Sequence, residues 1–127
     1  MDDEPSLVRL LETFLRQRGF EVDGCCGSAE ALERFRAAPQ RYALVIADVN
    51  MPGIPGDELG LQMAGISEPL RLLLTSGLPF TTESLPDNVR RRAAFLQKPF
   101  LPRMVIDAVN KLLGSAASDR VAAESAR

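Results

Sequence analysis

The sequence predicts an α/β fold on a mostly parallel β-sheet, and three observations carry that prediction. Apolar strand-like runs alternate with amphipathic helix-like runs along the 127 residues, the order that builds parallel sheets through helical crossovers. Two runs, "YALVIAD" (42–48) and "LRLLLTS" (70–76), are apolar at nearly every position, as strands covered on both faces are. Polar residues then stand where the strands stop: Asp48, Thr75 with Ser76, and Lys98 at the end of "AAFLQK" (93–98).

Residues 6–18 place Leu7, Leu10, Leu11 and Phe14 at helical spacing, with Arg9, Glu12, Arg16 and Gln17 elsewhere. Pro5 or Ser6 opens this helix and Gly19 ends it. "FEVDGCC" (20–26) alternates weakly and reads as a short strand. Ser28 is placed to cap a second helix over 29–38, with Ala31, Leu32 and Phe35 inward and Pro39 at its end. Residues 57–64 read as a short helix weakened by Gly60. Pro79 and Pro86 interrupt 78–92, so any helix there is short or shifted. Residues 102–114 form the last helix, with Met104, Val105, Ala108, Val109 and Leu112 inward. Residues 115–127 are rich in Ala and Ser and read as a tail that frays, which leaves one domain over 1–114.

Composition narrows the function. The chain is 46% hydrophobic and 25% charged with a net charge of −2, which gives no electrostatic case for nucleic acid or an anionic membrane. No apolar run approaches the length of a membrane span. There is no histidine, so histidine-dependent zinc sites and catalytic triads are excluded. Cys25 and Cys26 are the only cysteines, too close to bridge readily, and read as packing residues in a reducing, cytoplasmic compartment. No glycine-rich phosphate loop follows a strand and no nucleophile stands beside a base, so an enzyme is not expected.

In open α/β sheets ligands bind at the carboxyl ends of the strands. Asp48, Thr75, Ser76 and Lys98 all stand there, with Asp2 and Asp3 just before the first helix. In "ALVIADVNMPGIPG" (43–56) a greasy strand runs into an acid, and a loop with two prolines and two glycines follows at once. A rigid strand thus delivers Asp48 to an edge that the loop keeps open.

With these pieces assembled, the chain resembles the receiver domain of bacterial two-component response regulators. The matching stretches are "DDEPS", "DVNMPGIPG", "LLLTSG" and "FLQKPF", whose order and spacing make the resemblance cover the chain from residue 2 to about residue 113. The resemblance implies a flavodoxin-like (CheY-like) doubly wound sheet of five strands in the order 2-1-3-4-5 with five helices. It implies that Asp48 accepts a phosphoryl group from a sensor histidine kinase or phosphotransfer protein, forming an aspartyl phosphate. Asp3, Asp2, Asp48 and the backbone carbonyl of Asn50 would hold Mg²⁺. Thr75 would bond a phosphoryl oxygen, Lys98 would pair with the group, Phe95 would be the switch aromatic, and the Lys98–Pro99 bond would be cis. Phe95 reads equally well as a plain core residue, Asp2 as a helix-start acid, and 90–92, "RRR", as a solvated face.

The chemistry is coherent by itself. Phosphoryl transfer needs positioning and charge neutralisation more than covalent help. Clustered carboxylates repel, and a hard divalent cation with oxygen ligands relieves this. A lysine adds a second positive charge and a hydroxyl a directed hydrogen bond. A phosphoryl group then adds roughly −1.5 to −2 of charge at one point, and Thr75 moving toward it would vacate space for Phe95.

One departure stands out. Only Met1 precedes Asp2, where the family has an apolar first strand of about five residues. A start further upstream, closure of the gap into a four-stranded sheet, and filling of the gap by another chain each account for this; the first is favoured. The leading expectation is a signalling switch that acts through a downstream partner protein, as a stand-alone receiver or the receiver end of a hybrid kinase. It would have no output domain after residue 114 and no direct contact with nucleic acid or membrane, and a homodimer is allowed. The alternative is a phosphorylation-independent interaction module with a vestigial acidic site.

Overall fold

The computed structural model describes residues 4–114. Its α-helices are α1 (Pro5–Gln17), α2 (Ser28–Ala37), α3 (Gly56–Ile66), α4 (Asp87–Arg90) and α5 (Pro102–Leu113). Its strands are β1 (Leu44–Asp48), β2 (Arg71–Ser76) and β3 (Ala93–Gln97). Among the described residues the strands form one parallel sheet in the order β1-β2-β3. Leu44 pairs with Arg71 and Asp48 with Thr75, while Leu72 pairs with Ala93 and Thr75 with Leu96.

The pleat sorts the apolar residues into two layers, because successive side chains point to opposite faces. Val45, Ala47, Leu72 and Leu74 pack against Leu32 and Phe35 of α2, Leu59 and Met63 of α3, and Leu85 and Val89 near α4. Leu44, Ile46 and Leu73 pack against Leu11 and Leu15 of α1 and Val105, Ile106 and Val109 of α5. This is the reason that β1 and β2 read as continuous apolar runs. Covered on both faces, they have no solvent side on which a polar residue is tolerated.

Several expectations are corrected. Residues 20–26 form no strand: Val22 makes a single bridge, and its carbonyl accepts a hydrogen bond from the Arg16 guanidinium at 2.7 Å. Phe20 and Val22 are buried, so the weak alternation there reports burial of two side chains and not a ladder. On α1 the core face is Val8, Leu11 and Leu15, and Leu10 is 48% exposed. On α5, Ile106 is buried with Val105 and Val109, and Met104 faces out in the first turn, where its sulfur accepts from the Leu101 N–H. Ser28 does not cap α2; Gly27 holds that position without a side-chain bond.

The proline-broken segment behaves as its composition implies. Thr82–Ser84 makes a short 3-10 turn and α4 is one turn long, with Pro86 at its N-cap. What anchors this segment is Arg92. Its guanidinium donates to the carbonyls of Ser67, Glu68 and Leu70 on the connection before β2, and also to Asn88 in α4. Arg90 pairs with Asp87. The triple arginine is therefore more than a solvated face. One member ties α4 to the connection between α3 and β2, satisfying backbone acceptors on both.

Candidate functional site

The same pleat that sorts the core builds the site. Asp48 shares a face with Leu44 and Ile46, and Thr75 shares a face with Leu73. Lys98 continues the alternation of Ala94 and Leu96 one step past β3. All three therefore project from the α1/α5 side of the sheet at its carboxyl end. The backbone ladder runs on past the strands to keep them there: Val49 N–H donates to Thr75 O, and Lys98 N–H to Ser76 O, both at 2.8 Å.

Asp48 is 5% exposed. One carboxylate oxygen, Oδ2, lies 3.1 Å from Lys98 Nζ. The other, Oδ1, accepts from the Asn50 backbone N–H at 3.0 Å. Each oxygen thus has a fixed donor, and one donor carries a full charge, which orients the carboxylate strongly. Lys98 also lies 3.8 Å from Glu4 Oε1 at the N-cap of α1. Thr75, register partner of Asp48, is 2% exposed.

The loop after β1 is held by contacts that span long stretches of chain. Ser28, buried at the start of α2, donates from its hydroxyl to Ile54 O at 2.8 Å; this bond is what takes it away from capping. The side-chain amide of Asn50 donates to Ser76 Oγ at 2.6 Å, and the same oxygen accepts from Leu78 N–H at 3.0 Å. Gly56 opens α3 directly against Asp48: a Cβ there would stand 2.0 Å from the Asp48 carbonyl oxygen. The sequence places Ser76 at the strand end beside Thr75 but does not show its bond to Asn50, and it marks none of Ser28, Gly56 and Glu4 as a support of the site. The paired hydroxyls at 75–76 and the second glycine of the 50–56 loop are the signals available for Ser76 and Gly56.

The expected residues are distributed as follows. Asp48, Thr75, Lys98 and Asn50 come together. Phe95 lies on the opposite face of β3, half-buried, with its ring 5.5 Å from that of Phe80. The Lys98–Pro99 peptide bond is cis, as the resemblance implies. Asp2 and Asp3 lie outside the described residues, as does the tail at 115–127. Among the described residues no group of three or more His, Cys, Asp or Glu side chains gathers to hold a metal, and no helix is long and apolar enough to cross a membrane. Beside Lys98 opens a groove of about 640 Å³, lined by Leu7 and Leu10 of α1, Gly77, Pro99 and Phe100.

A parallel α/β domain that ends in a buried acid, a hydroxyl and a lysine on one face has the make-up of a signalling receiver. The chain belongs to the response regulator receiver domain family, whose model matches residues 1–110. It is 36% identical to the two-component response regulator ARR11 of Arabidopsis thaliana over 60% of this chain, but spans only 14% of that protein's length. It is 27% identical to the response regulator receiver protein CpdR of Brucella abortus, covering 88% of this chain and 92% of that one. The solved structure of the response regulator TrrA of Thermotoga maritima, in complex with Mg²⁺ and BeF, superposes with a TM-score of 0.71 at 29% identity, over 87% of this chain and 93% of that one. The chain is thus a CheY-like receiver domain of two-component signalling, a class of switches and not of classical enzymes.

Proposed function

We propose that this domain accepts a phosphoryl group on Asp48 in a Mg²⁺-dependent reaction and passes the change to a partner protein. The observation that carries this is the setting of Asp48. A buried carboxylate ends an apolar strand with a lysine ammonium on one oxygen and a backbone N–H on the other. Burying such a charge for structure alone is costly, and the arrangement suits an acyl phosphate, whose added charge Lys98 would meet. Thr75, across the register, would donate its hydroxyl to a phosphoryl oxygen.

The donor set suits a hard cation. Asp48 and the Asn50 carbonyl supply oxygens, and Asp2 and Asp3 would complete the set. Bound Mg²⁺ would neutralise charge on the phosphoryl oxygens. The groove beside Lys98, with Leu7 and Leu10 on its wall, gives a histidine-bearing donor protein room to approach. Phe95 and Phe80 pack together on the face of the sheet opposite Thr75, so a switch role for Phe95 would run through the shared strands and not through space that Thr75 vacates.

The test is intact-protein mass after incubation with Mg²⁺ and a small acyl-phosphate donor. The parent chain should gain one phosphoryl mass and Asp48→Asn none, with circular dichroism showing both folded. A parent that stays unmodified, or a gain retained in Asp48→Asn, would sink this reading. In the first case a phosphorylation-independent docking module would replace it.

A further inference from the structure

We infer that the buried hydroxyl of Ser28 is a positioning group for the proposed Mg²⁺ site: it pins the tip of the loop after β1 and so keeps the Asn50 carbonyl aimed at the cation. The inference rests on the reading of Asp48 and Asn50 as metal ligands and adds a residue, on a different element, that sets how well they bind.

The loop of residues 49–55 leaves β1 at Asp48 and enters α3 at Gly56. Backbone bonds hold its two ends, Val49 N–H to Thr75 O at 2.8 Å and Gly56 N–H to Val49 O at 3.1 Å. Asn50 N–H is held on Asp48 Oδ1. The tip is held differently. Among the described residues, only Ser28 reaches the carbonyls of residues 52–54 with a hydrogen bond. Its hydroxyl, at the start of α2, lies 2.8 Å from Ile54 O and 3.4 Å from Pro52 O. Ser28 is 5% exposed, so water cannot readily take over as donor if the hydroxyl is removed. Gly53, between those two carbonyls, has a φ of 83°, and a glycine here leaves the tip soft wherever nothing holds it.

Among the described residues no group donates to the Asn50 carbonyl, which leaves its lone pairs open to a cation. The direction of that carbonyl depends on the rotations on either side of the planar 50–51 peptide. The Asn50 N–H on Asp48 limits the upstream rotation. Downstream, Met51 is 5% exposed and precedes Pro52, which confines it to extended backbone. Beyond Pro52 the Ser28 hydroxyl fixes the tip. Without it, packing of Met51 and Ile54 alone restrains residues 51–54, and the Asn50 carbonyl samples directions that do not serve a metal. Support behind a ligand commonly sets metal affinity in this way. Ser28 makes no hydrogen bond to Asp48 or Asn50, so its effect passes through the loop.

The experiment titrates the full chain with Mn²⁺ alone and reads free Mn²⁺ by electron paramagnetic resonance, counting only the binding that Asp48→Asn removes. The parent is compared with Ser28→Ala, with Ser28→Cys, which fills similar space with a weaker donor, and with Val109→Ala. Val109 is buried in the layer between α1 and α5, so that variant loses stability without touching the loop. Melting temperatures are measured alongside. Ser28→Ala should bind Mn²⁺ roughly three- to tenfold more weakly, Ser28→Cys should fall between it and the parent, and Val109→Ala should bind as the parent does. If Ser28→Ala does not fold, Ser28→Cys decides the matter by itself. Parent-like binding in both Ser28 variants, or an equal loss in Val109→Ala, overturns the inference and leaves the Mg²⁺ reading standing. A parent with no binding beyond that of Asp48→Asn overturns both.

Discussion

Gly56→Ala tests how tightly α3 is seated on the site. At Gly56 an added Cβ would lie 2.0 Å from Asp48 O, 2.6 Å from its carbonyl carbon and 3.0 Å from Val49 N. All three are backbone atoms of the rigid end of β1, so no side chain can swing away. Reaching ordinary contact requires the start of α3 and the end of β1 to part by about 1.4 Å, which also stretches the Gly56 N–H to Val49 O bond of 3.1 Å. Overpacking of this kind costs about 1–3 kcal/mol, sometimes more. In a chain of this size that lowers the melting temperature by roughly 4–15 °C. Helix propensity pulls the other way, since Ala replaces Gly within a helix with a gain of about 0.5–1 kcal/mol. Gly65, in the same helix, has nothing within 4 Å of its virtual Cβ, so Gly65→Ala isolates the propensity effect. Thermal unfolding of both variants decides the matter: Gly56→Ala should melt below the parent and Gly65→Ala at or slightly above it. If Gly56→Ala also melts higher, the close seating of α3 on Asp48 is refuted.

Other perturbations probe different parts of the molecule. Lys98→Met leaves the Asp48 carboxylate, 7% exposed in its side chain, without its ammonium partner. It should cost about 2–4 kcal/mol in urea unfolding, largely recovered when Asp48→Asn is added; equal losses with and without Asp48→Asn would mean the pair is not coupled. Leu15→Ala empties a fully buried position between α1 and α5 and should cost about 2–5 kcal/mol, so an unchanged urea midpoint would show that α1 is not packed as described. Arg92→Lys cannot reach the carbonyls of Ser67, Glu68 and Leu70 together, because an ammonium lacks the guanidinium fork. Amide hydrogen exchange over 85–92 should speed up in that variant with little change elsewhere, and uniform protection would speak against the anchor.

Much of the fold was legible because periodicity is a local signal. β1, β2 and β3 were placed to within one or two residues, since strands covered on both faces leave a run with no polar interruption, and Pro102 and Pro5 mark the helix starts they occupy. The site residues Asp48, Thr75 and Lys98 were legible for a related reason: a polar residue that ends an apolar strand stands out. Residues 20–26 were misread because inward Phe20 and Val22 mimic strand alternation without the ladder. Leu10 and Met104 were placed inward by spacing alone, yet each lies at the edge of its helix stripe, where sequence cannot say how far the neighbouring layer extends. The bonds that Ser28 and Ser76 make are not legible, although the paired hydroxyls at 75–76 mark Ser76 as a strand-end group. Their bonds to Ile54 and Asn50 join residues 26 apart in sequence, and no local pattern encodes such a contact. In sequence Arg92 is one of three like charges, because its acceptors are main-chain oxygens, which carry no sequence identity.

The shared face of Asp48, Thr75 and Lys98 has a consequence for how such a chain tolerates change in length. One residue inserted within 44–48 turns every later side chain of that strand to the other side of the sheet, sending the acid toward α2 and α3 while the hydroxyl and lysine stay with α1. An insertion of the same size within 78–86, between the end of β2 and the short α4, is absorbed by a connection that carries no register. Length variation among descendants of this sequence should therefore gather in that connection and be absent from the three strands, which act as rulers as much as walls.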